Sequence, residues 1–198
     1  GVDFLLLFLS NVRIHVRGME NAPEVGKRFL LVSNHRSNYD PLATIWTFRR
    51  HNMAFVSKPQ NFDLFICGQL ARRNCFLSID KDNARSSMET IIAASELIKN
   101  DECSMAIYPE GMRSFSCELL EFHNGVFKIA QKANCPIVVC TVRGTELARE
   151  RAPLRPTHIY IDVVETIAAA DVKTMRTNEI GDRVRADFVK SLDDTSWK

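Results

Sequence analysis

The sequence predicts an α/β fold in which a mostly parallel or mixed central sheet carries helices on both faces. Short runs of consecutive apolar residues alternate along the chain with segments of helical periodicity. Such continuous runs are typical of strands buried on both faces, whereas a strand with one wet face alternates apolar and polar residues. The 198 residues, of which 45% are apolar and 25% charged, suit a single globular domain over residues 1–198.

The first half of the chain is predicted to alternate strands with helices. Residues 29–32, FLLV, form an apolar run typical of a short buried strand. Pro41 stands where a helix is expected to begin, because proline suits the first helical turn. The predicted strands of this half are residues 29–32, 52–56 and 75–79, and the predicted helices are residues 41–50 and 62–72.

The second half continues the same alternation. Its clearest helix carries Met88, Ile91, Ile92 and Ile98 at helical spacing, and Pro109 marks the end of the strand that follows. The predicted helices of this half are residues 84–99, 124–133 and 177–192, and the predicted strands are residues 104–108, 136–142 and 158–164.

Charge and cysteine usage narrow the class of protein. The formal net charge is only +2, so nucleic acid is not a predicted partner. The six cysteines form no C-x-x-C pair, and several lie in apolar runs, which predicts free, buried thiols in a reducing compartment rather than a disulfide or zinc framework. They are Cys67, Cys75, Cys103, Cys117, Cys135 and Cys140.

The N-terminal residues 4–9 read FLLLFL. Six apolar residues cannot span a bilayer, which takes about 20, and the features of a signal peptide are missing. Two interpretations stay open: a core helix, or the end of a longer membrane-facing segment over residues 1–20 with further chain expected upstream.

His35 and Asp40 are five residues apart, between a predicted strand and a predicted helix. Strand-to-helix turns at the carboxyl edge of a parallel sheet are where α/β proteins place their chemistry. The spacing allows a tight turn to fold the carboxylate onto the imidazole. Asp40 also precedes Pro41, so a helix N-cap is the alternative interpretation of this residue.

Further candidates follow other predicted strands. Glu110 and Arg113 come after the strand at residues 104–108, so parallel pairing would bring them near His35 at one edge of the sheet. An arginine beside a glycine with available N–H groups is a common way to bind phosphate. Lys58 and Lys81 also follow predicted strands, although isolated lysines are mostly solvated.

Together these segments resemble the glycerophospholipid acyltransferase family, most closely 1-acyl-glycerol-3-phosphate (lysophosphatidate) acyltransferase. Residues 34–41, NHRSNYDP, resemble its N-H-x-S-x-x-D-P block, and residues 108–114, YPEGMRS, resemble F-P-E-G-T-R-S. Residues 57–81 resemble a block that starts with Lys and ends in F-I-D-R. Residues 122–128 resemble F-K-x-G-x-F, and residues 135–140 resemble the strand V-P-I-V-P-V.

The sequence departs from these blocks at four places. Lys81 stands where Arg is usual, and the two are not equivalent in a bidentate contact. Ser78 replaces Phe, Met112 replaces Thr, and Cys140 replaces the second Pro of the final strand. These departures weaken the assignment of a particular acceptor more than they weaken the family resemblance.

The resemblance implies transfer of a fatty acyl group from acyl-CoA or acyl carrier protein to the sn-2 hydroxyl of 1-acyl-glycerol-3-phosphate, giving phosphatidic acid in phospholipid biosynthesis. An alcohol is a weak nucleophile, so a base must take its proton, and histidine titrates near neutral pH. His35 is the predicted base, and Asp40 is predicted to fix its tautomer. Direct transfer is expected, with Ser37 shaping the turn and no protein nucleophile.

The same resemblance makes Lys58 and Arg113 the expected ligands of the acceptor phosphate. Glu110, Gly111, Ser114 and Lys81 are expected to support the site. For Glu110, ordering the Arg113 loop is favoured over contact with the acceptor, because a carboxylate repels phosphate. The expected partners are a lysophospholipid, an acyl thioester and the cytoplasmic face of a membrane, without a metal or organic cofactor.

Three alternatives remain. A close relative could acylate glycerol-3-phosphate or another lysophospholipid. A metal-dependent hydrolase could use His35 and Asp40 as ligands, but His15, His51, His123 and His158 show no second metal-like spacing. The third alternative is a non-catalytic lipid-binding protein of the same fold. The intact pair of His35 and Asp40 argues against it.

Overall fold

The computed structural model describes residues 11–57, 77–78, 84–151, 153–194 and 196. Seven strands in these ranges form one sheet in the order β1-β7-β6-β2-β5-β3-β4. The strands are β1 (Val12–Arg17), β2 (Leu30–Ser33), β3 (Met53–Ser57), β4 (Leu77–Ser78), β5 (Ser104–Ile107), β6 (Ile137–Arg143) and β7 (Thr157–Ile167). The helices are α1 (Asp40–Thr47), α2 (Ala84–Lys99), α3 (Lys128–Ala133), α4 (Thr145–Arg151), α5 (Ala169–Thr174) and α6 (Thr177–Asp193), with 3-10 turns at Met19–Asn21 and Asn124–Phe127.

The sheet is mixed, as the sequence predicts. Strands β4, β3, β5, β2 and β6 run parallel to one another. Strand β7 is antiparallel to β6, and β1 is parallel to β7. The carboxyl ends of β2, β3, β5 and β6 therefore lie at one edge of the sheet, together with the amino ends of β1 and β7. We call this the carboxyl edge.

Both faces of the central strands are buried, which explains their continuous apolar runs. Side chains alternate across a strand, so Leu30 and Val32 enter one core while Leu31 enters the other. The first core is covered by α2, α3 and α6, for example through Phe188. The second core is covered by α1, which contributes Ala43. The predicted layers of helix, sheet and helix are confirmed.

Most predicted elements are present within a few residues of their expected bounds. Helix α2 has the bounds that its periodicity predicts. Helix α1 ends earlier than expected, at Thr47, and residues 124–133 divide into a 3-10 turn and α3. The predictions missed α4 and α5, which are six or seven residues long and too short for a clear periodicity. The helix predicted at residues 62–72 lies outside the described residues.

Strand β1 lies within residues 1–20, for which a membrane-facing segment is one of the two predictions. Residues 12–17 form an edge strand that pairs with β7, and the membrane contact stays a prediction. The alternation of Val12, Ile14 and Val16 with polar residues was the signal for this strand. The apolar residues 4–9 lie outside the described residues. In the part of the chain that is described, no helix combines the length and apolar character needed to cross a membrane.

Candidate active site

The carboxyl edge brings the two main sequence blocks together. The turn at residues 34–39 leaves β2, and the loop at residues 108–123 leaves the neighbouring parallel strand β5. The N–H of Ser114 donates to the carbonyl of His35 at 2.8 Å, so the two segments are in direct contact. This is the juxtaposition expected from parallel pairing of their strands.

His35 and Asp40 form a closely bonded pair. The Nδ1 atom of His35 lies 2.7 Å from Oδ2 of Asp40, and the carboxylate is fully buried while the imidazole is 17% exposed. Since a carboxylate accepts hydrogen bonds and does not donate them, Nδ1 carries a proton. In the neutral imidazole, Nε2 then has the lone pair, and this is the tautomer that can accept a proton.

The same carboxylate oxygen shapes the turn. Besides the imidazole, Oδ2 of Asp40 accepts the backbone N–H groups of Arg36 at 2.7 Å and Ser37 at 2.8 Å. The hydroxyl of Ser37 accepts from the N–H of Tyr39 at 3.3 Å, as expected of a serine that shapes a turn. The carboxylate of Asp40 therefore holds the imidazole of His35 and also satisfies two N–H groups of the turn.

The N-cap interpretation of Asp40 is wrong. Tyr39 occupies the N-cap position of α1, and no side chain caps that helix. Asp40 is the first helical residue, and its carboxylate points back to the turn because three donors converge there. The sequence pattern alone could not separate these roles, since both place Asp directly before Pro41.

Glu110 joins the two segments of the site. Its side chain is buried, and its two oxygens accept the N–H of His35 at 2.8 Å and the N–H of Leu120 at 2.9 Å. Burial raises the pKa of Glu110, while these two N–H bonds and the charge of Arg36 oppose that rise. Because both oxygens face protein donors, the geometry supports the interpretation that Glu110 orders the loop.

Two residues of the sequence blocks have structural roles that the sequence analysis did not assign. The amide of Asn34 donates to the carbonyl of Val142 and accepts its N–H, at 3.0 and 2.8 Å, and so extends the contact of β2 with β6. The ring of Tyr108 stacks on the imidazole of His35 with centroids 4.1 Å apart. A buried Asn directly after a strand was the available signal for the first role; no sequence signal indicated the second.

Arg113 lies on the same loop, at the mouth of the site. Its Nη1 donates to Oδ1 of Asn38 at 3.0 Å, and its guanidinium lies over the ring of Phe115. Gly111 has a φ of 62°, the left-handed region that favours glycine, and its N–H closes a turn onto the carbonyl of Tyr108. Gly111 therefore allows the tight turn that precedes Arg113 on this loop.

An open groove of about 500 Å³ adjoins Arg113. Phe115 is 79% exposed and Met112 51% exposed, which is unusual for large apolar side chains. Among the described residues, the groove combines the guanidinium of Arg113 with apolar side chains. Its lining residues are Met112, Arg113, Ser114, Phe115, Ser116 and Leu120.

The remaining predicted site residues lie outside the described residues. Lys58 follows Ser57, the last residue of β3, and Lys81 lies between β4 and α2. Their expected roles stay predictions. Among the residues that are described, no group of three or more His, Cys, Asp or Glu side chains is arranged to hold a metal ion.

The described thiols form no disulfide, and burial opposes the ionisation of two of them, Cys135 and Cys140. Cys103, Cys135 and Cys140 are buried and Cys117 is partly exposed. Burial raises the pKa of Cys135 to about 12 and raises that of Cys140 still further. Since the thiolate is the nucleophilic form, these side chains are weak candidates for a covalent acyl carrier.

A buried carboxylate that fixes the tautomer of an imidazole is the arrangement by which acyl-transfer enzymes activate a hydroxyl. The chain belongs to the acyltransferase family, whose family model matches residues 13–143. The resemblance observed in the sequence blocks is thereby confirmed.

Individual relatives agree with this assignment. A probable 1-acyl-sn-glycerol-3-phosphate acyltransferase of Mycoplasma pneumoniae is 30% identical over 71% of this chain and 53% of its own length. The 1-acyl-sn-glycerol-3-phosphate acyltransferase of Limnanthes alba is 25% identical over 95% of this chain and 66% of its own length. This chain therefore spans about half to two thirds of these relatives.

The fold is shared with a solved structure. The crystal structure of the 1-acyl-sn-glycerophosphate acyltransferase PlsC of Thermotoga maritima superposes with a TM-score of 0.74. The match covers 98% of this chain and 76% of the other, at 21% identity. At that identity the likeness shows the fold.

Glu110→Gln is expected to destabilise the protein and to lower its activity. An amide offers one acceptor oxygen where the carboxylate offers two, so one of the two backbone N–H groups loses its partner. The expected loss in the free energy of unfolding is about 1–3 kcal/mol, measured by urea denaturation. Glu118→Gln, in an exposed position of the same loop, is the control and should change stability by less than about 0.5 kcal/mol. A Glu110→Gln protein as stable as the wild type would show that relief of carboxylate burial outweighs these bonds.

Proposed function

We propose that this chain transfers an acyl group from a thioester to a hydroxyl of a phosphate-bearing glycerolipid, with His35 as general base. The observation that carries the proposal is the 2.7 Å contact between Nδ1 of His35 and the buried carboxylate of Asp40, next to Arg113 at the mouth of the site. Membership of the acyltransferase family supports the reaction type.

In the proposed step, Nε2 of His35 takes the proton of the acceptor hydroxyl while the hydroxyl oxygen attacks the carbonyl carbon of the thioester. Asp40 stabilises the imidazolium that forms. The tetrahedral intermediate then collapses, the carbon–sulfur bond breaks, and the imidazolium returns the proton to the leaving thiolate. The products are an ester and a thiol, and the protein is unchanged.

We further propose that transfer is direct. Ser37, on the turn two residues after His35, is occupied in that turn, since its N–H donates to Asp40 and its hydroxyl accepts from the N–H of Tyr39. The buried Cys135 and Cys140 have pKa values raised by burial. These observations favour attack by the acceptor over a covalent acyl-protein intermediate.

His35→Ala should lower turnover by about 10²- to 10⁴-fold, the range for loss of a positioned general base, and leave the folded state intact. His158→Ala, a histidine on β7 away from the catalytic turn, is the control. Initial rates of phosphatidate formation and a thermal melt measure the two effects.

The direct route is tested on the same proteins by intact-mass spectrometry after a rapid quench with the donor alone. We expect no acyl adduct. A stoichiometric adduct that is lost on addition of the acceptor would contradict direct transfer, and near-normal activity of His35→Ala would remove His35 from the mechanism.

The acceptor we propose is 1-acyl-glycerol-3-phosphate, acylated at its sn-2 hydroxyl to give phosphatidic acid for phospholipid biosynthesis. The groove pairs Arg113, a ligand suited to phosphate, with the apolar side chains of Met112, Phe115 and Leu120. That combination suits an anionic head with an acyl chain better than it suits glycerol-3-phosphate. The relatives named above carry the same activity in their names. The acyl donor is a thioester, acyl-CoA or acyl carrier protein.

Arg113→Ala should weaken binding of a phosphorylated acceptor by about 10- to 150-fold, because a charge-assisted bond contributes about 1.5–3 kcal/mol. The measurement is KM for lysophosphatidate, with Lys99→Ala, on an exposed part of α2, as the charge-matched control. Monoacylglycerol as acceptor should respond little to either change.

The acceptor panel also separates the candidate reactions. Rates with lysophosphatidate, glycerol-3-phosphate and a lysophospholipid with a larger head group, each offered with acyl-CoA or acyl carrier protein, identify both substrates. A preference for glycerol-3-phosphate would overturn the proposed acceptor. If Arg113→Ala raised KM equally for monoacylglycerol, which has no phosphate, Arg113 would not be a ligand of the acceptor phosphate.

We propose that the carboxyl edge faces a membrane, which is expected of an enzyme with lipid substrates. Asn11, which follows the apolar N-terminal run, lies at this edge because its carbonyl accepts the N–H of Thr157 at the start of β7. Leu154, 90% exposed, precedes the same strand, and Phe115 lies beside the site. Exposed basic side chains at Arg151 and Arg155 favour anionic lipid. The contact expected of residues 4–9 stays a prediction.

A double substitution, Phe115→Ser with Leu154→Ser, should weaken binding to anionic vesicles by about 5- to 30-fold, because two exposed apolar anchors are lost. Co-sedimentation with phosphatidylglycerol vesicles measures the effect. Val25→Ser is the control, since Val25 is also exposed but precedes β2, at the opposite edge. Equal loss in the control would show that the carboxyl edge is not the membrane-facing surface.

A further inference from the structure

Three buried polar atoms stand behind the His35 and Asp40 pair without a hydrogen-bond partner among the described residues. They are Oδ1 of Asp40, the hydroxyl of Thr44 and the hydroxyl of Tyr108. Buried polar groups are nearly always hydrogen-bonded, so a group of three at a catalytic pair needs an explanation. Asp40 and Thr44 are fully buried, and Tyr108 is 9% exposed.

The fold places these three groups around one corner of the site. Thr44 is four residues after Asp40 on α1, so the two side chains share a face of the helix. Tyr108 follows β5, and its ring lies parallel to the imidazole that Asp40 holds, with an interplanar angle of 9°. Burial raises the pKa of Tyr108, and the charge of Asp40 raises it further, whereas the hydroxyl of Thr44 lowers it. Both effects require that the two side chains lie close to Tyr108.

The chemistry of the three groups is complementary. Oδ2 of Asp40 already accepts three hydrogen bonds, whereas Oδ1 is a buried carboxylate oxygen that needs donors. A tyrosine and a threonine hydroxyl each supply one donor. The block F-P-E-G-T-R-S, which residues 108–114 resemble, has Phe where this chain has Tyr108, so the tyrosine hydroxyl is a feature of this sequence.

We propose that the hydroxyls of Tyr108 and Thr44 are joined to Oδ1 of Asp40 in one hydrogen-bonded network, in which an ordered water bridges the atoms that do not bond directly. The network orients the carboxylate and limits how strongly it holds the proton of His35. Tyr108 and Thr44 are then positioning residues, which act on the substrate through Asp40 and His35. The inference rests on the proposed role of His35 as general base.

The network makes a directional prediction for the pH dependence of the reaction. Without the hydroxyl donors, Asp40 becomes a stronger acceptor and stabilises the imidazolium more, so the base is lost at a higher pH. Other titratable groups that act on this corner are His35, Arg36, Glu110, Cys117, Cys140 and Glu146. These groups are the same in every variant compared below.

Tyr108→Phe keeps the ring stack and removes the hydroxyl, and Thr44→Val removes the other hydroxyl at nearly constant volume. Each should move the acid limb of the kcat/KM profile to higher pH by about 0.3–1 unit. Each should lower kcat at neutral pH by about 2- to 12-fold without raising KM for lysophosphatidate. Since both hydroxyls act through one network, the double variant should show less than the sum of the two effects.

Matched controls separate this role from packing. Tyr160→Phe on β7 and Thr47→Val on α1 remove hydroxyls away from Asp40 and should leave the acid limb in place; the Thr47 hydroxyl donates to the carbonyl of Ala43. Thr44→Ser retains the hydroxyl and should restore the wild-type profile.

Thermal melts give a second readout that does not depend on activity. If the hydroxyl of Tyr108 is hydrogen-bonded, Tyr108→Phe should lower Tm by about 1–6 °C. An unchanged acid limb in Tyr108→Phe and Thr44→Val, with an equal or higher Tm, would overturn the network. If His35→Ala retained activity, the proposed base would fail, but the shift in Tm would still test the hydrogen bonds.

Discussion

The site depends on how one fully buried carboxylate is satisfied. A charge removed from water is costly unless donors surround it, and Oδ2 of Asp40 gathers three: the imidazole of His35 and the N–H groups of Arg36 and Ser37. These bonds can form together only if the chain leaves β2 in a tight turn and enters α1 at once. The need of the buried carboxylate for three donors therefore fixes the turn, the start of the helix and the orientation of the imidazole.

Neighbouring elements hold this turn by bonds between side chains and backbone. Backbone donors and acceptors are left without partners where a strand ladder ends, and they must be satisfied when buried. Asn34 satisfies both backbone groups of Val142, and Glu110 satisfies the N–H groups of His35 and Leu120. The turn is thus fixed to β6 on one side and to the loop after β5 on the other, which holds His35 in position for its proposed role as a base.

The acceptor side of the site is built differently. Arg113 is held by one hydrogen bond to Asn38, and its apolar neighbours Met112 and Phe115 are largely exposed. Under the proposed function, a buried, fixed base beside an open basic and apolar groove suits a reaction in which the chemistry is constant while a lipid enters and leaves. The exposed Leu154 adds apolar surface at the same edge.

The sequence by itself determined the elements of the fold and the proximity of the main site residues. Continuous apolar runs marked the central strands, periodicity gave α2 its bounds, and five-residue spacing in a turn brought Asp40 to His35. Parallel pairing of β2 with β5 was enough to place Glu110 near His35. These features follow from local patterns or from one pairing of neighbouring strands.

Only the tertiary structure decided which partner each buried polar group meets. Strand β1 pairs with β7, about 145 residues later, and the sequence pattern of an edge strand does not name its partner. The stack of Tyr108 on His35 and the choice of Asp40 between a cap and a catalytic contact have the same origin. Local periodicity reports that a residue is buried, whereas its partner is set by elements distant in sequence that pack against it.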